Sequence, residues 1–511
     1  MILLLLEGHQ RKDHTIESLE HRLDLLLRRI YGSSREKLDP KQLALFEDLL
    51  KQLAEPTPPA PEPAPPAEPL AASNARKGHG RRKLPADLPR EKRVHDLPEA
   101  EKPCPCCGQM RELIGSETSE QLDIIPAQLK VIEHVRLKYI CKACEARTAE
   151  GGPQIATASK PLAPIEKGLG APGLLAFVIV SKYCDHIPLY RFEGICKRHG
   201  IVIPRSTQWE WIFQSGQLFR PLGDLMIEEL LASKVIHTDD TPVDVLDRSL
   251  DKTRTGRFWV YVGDESHAYT VFDYTPSRSR DGPMTFLKNW GRDVGRYLQA
   301  DAFGGYDGIY AGKAGGLVTE VACWAHARRY FFDAQATNVA ASTQAIAYIR
   351  LLYDAEKDAK DLSSAERARV RQERSAPILV QFRAWLLGQQ AVNGGPVLPK
   401  SPMGEAITYT LNQWTALCVY LLDGDLAIDN NAAENTLRRI AIGRKNWLFC
   451  GSDNGGRTAA ILFTLIASCQ RHKIDPFAYL KDVLTRIAAT PVSQLRDLLP
   501  DRWKITSATH H

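Results

Sequence analysis

Three short stretches of this sequence set carboxylates where a metal ion could be held beside a phosphate. The apolar run Val235-Ile236-His237-Thr238 leads into Asp239 and Asp240. Val294 to Ala300 leads into Asp301, and Glu434 lies within residues 429–452, DNNAAENTLRRIAIGRKNWLFCGS. The first two stretches read as strands, each delivering a carboxylate at its end. In the third, Asn430 or Asn431 caps a helix, and Ala433, Leu437 and Ile440 recur at the spacing of one buried face. Glu434 and Arg438, four apart, share the neighbouring face. A carboxylate one turn from a guanidinium, with Arg444, Lys445 and Trp447 following, suits a site for both a metal ion and a phosphodiester. A Glu/Arg pair by itself is a surface ion pair of little energy, so the upstream aspartates carry the argument.

The elements that must position these groups can be read between them. Residues 257–263 and 267–273 are β-branched and aromatic runs joined by Asp264-Glu265-Ser266, a hairpin pattern. Pro283 to Trp290 reads as helix. Strand with Asp, hairpin, helix, strand with Asp and, later, helix with Glu is the element order of an RNase H-like nucleotidyl-transfer fold. The interval from Asp301 to Glu434 is too wide for one strand and one helix. Residues 334–425 read as an all-α insertion, with helices over Thr343–Asp361, Ser364–Gln390 and Gly404–Leu422. Cys323 and His326 precede it, with Arg328 and Arg329 on the same helix. Two ligands do not close a metal site, so this pair is either a metal contact, a structural contact or a DNA-proximal one.

Cys104-Pro-Cys-Cys107-Gly and Cys141-Lys-Ala-Cys144 form a CxxC…CxxC set around a segment, Glu120 to Ile140, that alternates like strands. Four thiolates on two knuckles close a tetrahedral shell around Zn2+, which makes the ion structural rather than catalytic. Cys104 and Cys107 are the preferred first pair, with Cys106 able to replace one of them. From Ile165 to Leu222 three helices are expected. Arg191, Lys197, Arg198 and Arg205 make them compatible with a DNA-reading unit or with a packing spacer.

Ahead of the cysteines, Ile16, Leu19, Leu23, Leu26 and Ile30 follow 3-4-3-4 spacing, which fits a short coiled coil or one amphipathic helix packed on its own domain. Glu55 to Pro69 is a Pro-rich linker. Between Arg76 and His95 eight Lys or Arg, Arg81, Arg82 and Lys83 among them, stand against Asp87 and Glu91, a basic arm suited to phosphates or a solvated linker. A net charge of +5 over 511 residues does not itself demand a nucleic-acid partner. The 44% hydrophobic and 25% charged composition is that of a globular protein of several domains. Eleven cysteines, five of them clustered, favour reduced thiols and a metal site over disulfides. The opening Met-Ile-Leu-Leu-Leu-Leu is too short for a membrane span and is followed by charge, so a cytoplasmic location, and no membrane partner, is expected.

HTDDTPV, LQADAFGGYDG, CWAHARRYF and DNNAAENTLRRIAIGRKNWLFCGSDNGG, in this order behind a cysteine module, resemble the signature blocks of the insertion-sequence-66 family of DDE transposases. The resemblance runs from about Ile30 to about Ile487 and implies an acidic triad at Asp239, Asp301 and Glu434. Asp240 stands where the family more often carries Glu, so either adjacent carboxylate is a candidate, with Asp239 preferred. Two divalent ions held by such carboxylates, Mg2+ or Mn2+, serve phosphoryl transfer by aligning the attacking and leaving oxygens. Without metal the clustered carboxylates raise each other's pKa. Arg438, Arg439, Arg444 and Lys445, with the basic arm, are the candidate DNA contacts.

The expected architecture is multidomain α+β. An N-terminal coiled-coil segment (1–53) is followed by the linker and basic arm (54–98), a zinc-binding module (99–160) and a helical segment (161–228). An RNase H-like α/β catalytic domain with its all-α insertion (229–488) and a tail (489–511) complete it. The resemblance further implies a bacterial, nucleoid-associated enzyme that cuts at terminal inverted repeats and joins the ends to target DNA, as a homo-oligomer with accessory proteins encoded in the same element. A catalytically inactive, zinc-containing DNA-binding regulator derived from a transposase is the alternative. A hydrolase of small phosphoesters would fit the carboxylates but leave the zinc module and the basic arm unexplained.

Overall fold

The computed structural model describes residues 106, 109, 128–140, 155–159, 162–166, 168–247, 249 and 251–504. The seam from Ile16 to Ile30, the arm residues Arg81, Arg82 and Lys83, and the ligand candidates Cys104, Cys107, Cys141 and Cys144 lie outside the described residues. Cys106 is described and is an exposed free thiol. The described residues from Ile132 onward belong to one compact unit; those before it belong to a second, residues 57–131. Of the alternation expected up to Ile140, only β1 (Lys138–Ile140) is strand among the described residues, paired antiparallel with β2 (Ile155–Thr157). Residues 128–139 are all exposed, so their alternation has no core face to fill.

The three expected helices come next: α1 (Pro172–Tyr183), α2 (Leu189–Arg198) and α3 (Arg205–Leu231). In α3 the buried Trp211, Ile212, Phe219, Leu222, Met226 and Leu230 keep the three-and-four spacing that turns one stripe inward. A mixed sheet follows, built from β3 (Val235–Val245), β4 (Arg254–Val262), β5 (Thr270–Thr275), β6 (Arg296–Gln299) and β7 (Val318–Val321), with the short α4 (Asp281–Phe286) between β5 and β6. The strand order is β5-β4-β3-β6-β7. β3, β4 and β5 are antiparallel neighbours, while β6 and β7 run parallel to β3.

The sheet corrects one expectation. β3 does not end at Asp239 and Asp240 but runs five residues further, because Thr241, Val243 and Val245 continue its buried face. Asp239 and Asp240 are therefore mid-strand residues, opposite Val260 and Trp259 of β4. On its other side β3 pairs with β6 only over Val235–His237 and with β8 (Phe449–Cys450) only at Asp244 and Val245. Between these two pairings neither strand hydrogen-bonds with β3, and Pro242, which lacks an N–H, falls in that gap.

Beyond β7, α6 (Trp324–Asp333) leads into the expected insertion; α5 (Asp307–Tyr310) precedes β7. The insertion comprises α7 (Val339–Asp358), α8 (Ser364–Val370), a π-helical turn (Arg371–Ser375), α9 (Ala376–Gln389), α10 (Pro402–Asn412) and α11 (Trp414–Cys418). Apart from α8, these helices share with α6, β7 and Val235 a hydrophobic core separate from the main one. Arg371, 1% exposed, lies inside it. Its Nε and Nη2 donate to the two carboxylate oxygens of Glu356, both at 2.7 Å, and it also donates to the carbonyls of Tyr420, Asp423 and Leu426 at 2.8 Å. That fan of donors fixes the loop returning to the sheet.

The chain closes with α12 (Asn431–Trp447), α13 (Asp453–Arg471) and α14 (Pro476–Arg486). β5 is the edge of the sheet, and α13 covers it. Thr464 Oγ1 accepts the Phe272 N–H at 2.9 Å, and Ser468 Oγ bonds both the N–H and the carbonyl of Thr270. The strand's outward backbone groups are thereby satisfied rather than left open to another chain. A Cβ at Gly456 would stand 2.5 Å from the Tyr274 ring, so glycine lets α13 approach the strand this closely.

Candidate active site

The parallel register of β3 and β6 sets His237 opposite Gln299. Asp239 lies two residues further along β3, and Asp301 two residues past the end of β6. Glu434 comes from the first turn of α12, which crosses the gap in β3's pairing. Both ends of α12 hold that gap: Asn430 Nδ2 donates to the carbonyl of Thr238 at 2.8 Å, and Arg444 Nη1 donates to the carbonyl of Pro242. Asn430 is the N-cap residue, as expected, but its side chain makes no capping bond. It is wholly buried and spent on the strand. Because its amide nitrogen faces Thr238, its Oδ1 faces His237 Nδ1 at 3.2 Å, which requires the proton on Nδ1. Burial first, against that bond, lowers the His237 pKa to about 4 and keeps the ring neutral.

A second amide pins the other strand. Gln299 Nε2 donates to the carbonyls of Ala427 at 2.7 Å and Asp429 at 3.0 Å. Lys234, just before β3, reaches Asp423 at 2.6 Å and Asp425 at 2.8 Å. The return loop is thus tied to β3 and β6 before α12 begins. Leu437 and Ile440 of α12 are buried as their spacing predicts, with Ala433.

Asp239 feels the other two candidate carboxylates. Burial, reinforced by the charges of Asp301, Asp240 and Glu434 and opposed by the Asp240 N–H, pushes the Asp239 carboxyl up to about 7. Asp301 is also pushed up, chiefly by burial, with the His326 and Arg278 charges pulling it back down and Asp240 adding to the rise. Asp240 is different. Its side chain is 1% exposed, its Oδ2 accepts from Arg257 Nη1 at 2.8 Å, and its Oδ1 accepts from Arg278 Nε and Nη2 at 3.0 and 2.8 Å. Arg278 also lies 3.9 Å from Asp301 Oδ2 and 3.9 Å from the centroid of the Phe303 ring. A Cβ at Gly305 would stand 2.1 Å from that ring, which accounts for glycine after Phe303-Gly304.

His326 and Cys323 meet Glu434. Their ligand atoms all lie within 4.8 Å of one another, with His326 Nδ1 3.7 Å from Glu434 Oε1. Cys323 Sγ accepts the Asn430 N–H at 3.2 Å, and burial first pushes its thiol up to about 12. Asp429, by contrast, is engaged elsewhere, accepting from Tyr353 Oη and from the backbone and side chain of Asn431.

The expected DNA contacts are unequal. Arg438 and Lys445 are exposed, whereas Arg439 and Arg444 are half-buried, and burial lowers the pKa of both. In the helical segment Lys197 and Arg205 pair with Glu193, and Arg191 Nη1 donates to Asn446 Oδ1 at 3.2 Å, so α2 abuts the end of α12. The residues that sequence reading missed are Thr238, Gln299, Arg257 and Arg278, and the second duty of Asn430. Only the doubled Asn after Asp429 hinted at any of them, since one residue suffices for a cap.

Residues 167–458 match the family model described as "Transposase IS66 family", and residues 464–500 match "IS66 C-terminal element". Residues 101–145, which contain all four expected zinc ligands, match "zinc-finger binding domain of transposase IS66". Residues 18–93 match "Transposase C of IS166 homeodomain". Three similar proteins are uncharacterized and come from Sinorhizobium fredii (strain NBRC 101917 / NGR234). Protein y4hP is 32% identical over 520 residues, covering 96% of this chain and 90% of its own length. Protein y4jD is 32% identical with 82% and 81% covered, and y4qI 32% with 81% and 76%. No helix among the described residues is long and apolar enough to cross a membrane. Since the first match takes in β3, β6, the insertion and α12 together, the chain belongs to the IS66 family of transposases.

Proposed function

We propose that this chain is an active DDE transposase, cutting DNA at the terminal repeats of its element and joining the freed ends to target DNA. Asp239, Asp301 and Glu434 are the metal-binding carboxylates on this reading. The observation that carries it is that the Asp239 carboxyl on β3 is raised by burial and by the charges of Asp301, just past β6, and of Glu434 on α12. The strand order β5-β4-β3-β6-β7, with β3 to β5 antiparallel and β6 and β7 parallel to β3, supports an RNase H-like catalytic domain over 229–488. Asp240, held on both oxygens by guanidinium groups, is the less suited of the adjacent pair.

The donor set fits Mg2+ or Mn2+: oxygen ligands, half-buried, whose mutual repulsion a cation relieves. Such ions supply alignment of the attacking and leaving oxygens and neutralise the charge between them. The protein's own part is positional. Asn430 and Gln299 fix the three carboxylates relative to one another, and Arg278 keeps a guanidinium beside Asp301. Arg438 and Lys445 offer exposed cations to phosphates on the same helix as Glu434. Water is the first nucleophile, and the 3′-hydroxyl it frees is the second. Arg81, Arg82 and Lys83 add a basic arm, and Cys104, Cys107, Cys141 and Cys144 hold a structural Zn2+ on the same reading.

An oligonucleotide carrying the element's end, assayed with Mg2+ or Mn2+ and with and without the accessory proteins, tests it. Asp239→Asn, Asp301→Asn and Glu434→Gln should each abolish cleavage and joining while end binding survives. Cleavage without metal, or full activity of Glu434→Gln, sinks the assignment. End binding by the unaltered chain with no cleavage under any of these conditions favours the regulator instead.

A further inference from the structure

His326 is not accounted for by the three-carboxylate reading. It sits in the first turn of α6, whose start is anchored twice: the Trp324 N–H donates to the Ile428 carbonyl at 3.1 Å and Trp324 Nε1 to the Leu417 carbonyl at 2.9 Å. The ring is therefore carried on a fixed turn. Its Nδ1 is buried and has no hydrogen-bond partner, an arrangement that costs free energy unless something else occupies the nitrogen. The atom it faces is Glu434 Oε1, and 3.7 Å is too long for a hydrogen bond. Two ligands about 2.1 Å from one ion and meeting at roughly 90–120° stand about 3.0–3.6 Å apart. The observed 3.7 Å lies just beyond this range, so a small closing movement would let both atoms bind one cation. His326 also acts on Asp301 electrostatically, which puts the ring near a second of the three carboxylates.

We propose that His326 is a fourth ligand of the metal site, binding through Nδ1 beside Glu434 and shifting the site's preference toward first-row transition ions over Mg2+. The inference rests on Asp239, Asp301 and Glu434 being a metal site. Mg2+ takes oxygen ligands almost exclusively, whereas an imidazole nitrogen binds transition ions well. Cys323, although near, is not in the shell. Its sulfur is spent on the Asn430 N–H, and its role is to tie the start of α6 to the start of α12, so that His326 and Glu434 move together.

The test uses Mn2+ as a paramagnetic probe of the full chain. Mn2+ titrations and pulsed EPR are run on the unaltered protein with natural and with 15N-labelled histidine, and on His326→Gln, His326→Asn and Asp239→Asn. The expected result is histidine-nitrogen modulation on bound Mn2+ that changes isotope with the label and disappears in either His326 variant that folds. Mn2+ affinity should fall roughly tenfold in that variant, and Mg2+ affinity by less than about threefold. Mn2+ bound in an Asp239-dependent way with no nitrogen modulation overturns the role of His326 and leaves the carboxylate site standing. Modulation that survives in a folded His326 variant overturns it too, by assigning the nitrogen to another histidine. Mn2+ binding that ignores Asp239→Asn removes both this inference and the triad.

Discussion

Asn430 Nδ2 donates to the carbonyl of Thr238 at 2.8 Å, joining the residue before Asp239 to the residue four before Glu434. One buried amide thus sets the distance between a strand carboxylate and a helix carboxylate. Asn430→Ala leaves the Thr238 carbonyl and His237 Nδ1 without partners. It should cost about 2–4 kcal/mol of stability, measured by urea unfolding, since each buried polar group so orphaned costs about 1–3 kcal/mol. Cleavage should fall further than end binding. A variant as stable as the parent would remove Asn430 from its positioning role.

The raised carboxyl of Asp239 gives the metal-free protein a defined pH response. Its ordinary value is 3.8 and its folded value about 7. Between these the native state binds a proton that the unfolded chain has lost, so native stability falls as pH rises from about 4 to about 7 and stays lower above it. Asp239→Asn should flatten this slope, leaving the smaller part due to Asp301 and Asp273, and stabilise the protein relative to the parent at pH 8 by on the order of 2–4 kcal/mol. Mg2+ or Mn2+ should restabilise the parent at pH 8 and leave the variant nearly unmoved. Parallel melting curves from pH 4 to 8 would contradict the burial of this group.

Arg438 and Lys445 are exposed, while Arg444 is hooked to Pro242. Arg438→Gln and Lys445→Gln should each weaken DNA binding and lower the salt slope by about one. Arg444→Gln should act mainly on stability, because it loosens α12 from β3. Binding isotherms at several salt concentrations, read beside melting curves, separate the two outcomes. An unchanged slope in all three would move the DNA contact off this helix.

The match of residues 101–145 to a zinc-finger domain makes metal content a direct check. Protein purified without chelator should carry one zinc per chain, and Cys107→Ser or Cys144→Ser should lose it. Elemental analysis decides this, and retention of zinc in both variants would point to other ligands, Cys106 first.

Much of this fold is written in local pattern. The buried face of α12 follows from three-and-four spacing, the hairpin of β4 and β5 from its aromatic runs, and the helices of the insertion and of the α1 to α3 segment stand where helix is expected. The strand end assumed at Asp240 was misread because polar residues there look like a terminus, whereas Thr241, Val243 and Val245 resume the alternation. Asp301 and Glu434 stood out as carboxylates in distinctive settings. Gln299, Arg257 and Arg278 did not, because their partners lie far off in sequence. Arg278 reaches Asp240 across 38 residues and Gln299 reaches Asp429 across 130, and no periodicity records such a pairing.

The all-α insertion enters after β7 and leaves through the loop that Arg371 grips at Tyr420, Asp423 and Leu426. That same loop continues into Asn430 and Glu434. The insertion is therefore a lever rather than an ornament. Melting it frees the loop that leads into Asn430, while α12 stays on the main core through Ala433, Leu437 and Ile440. The loop that feeds Asn430 packs with the insertion and the helix of Glu434 with the sheet, so the setting of Glu434 should loosen before global unfolding whenever the insertion is the weaker.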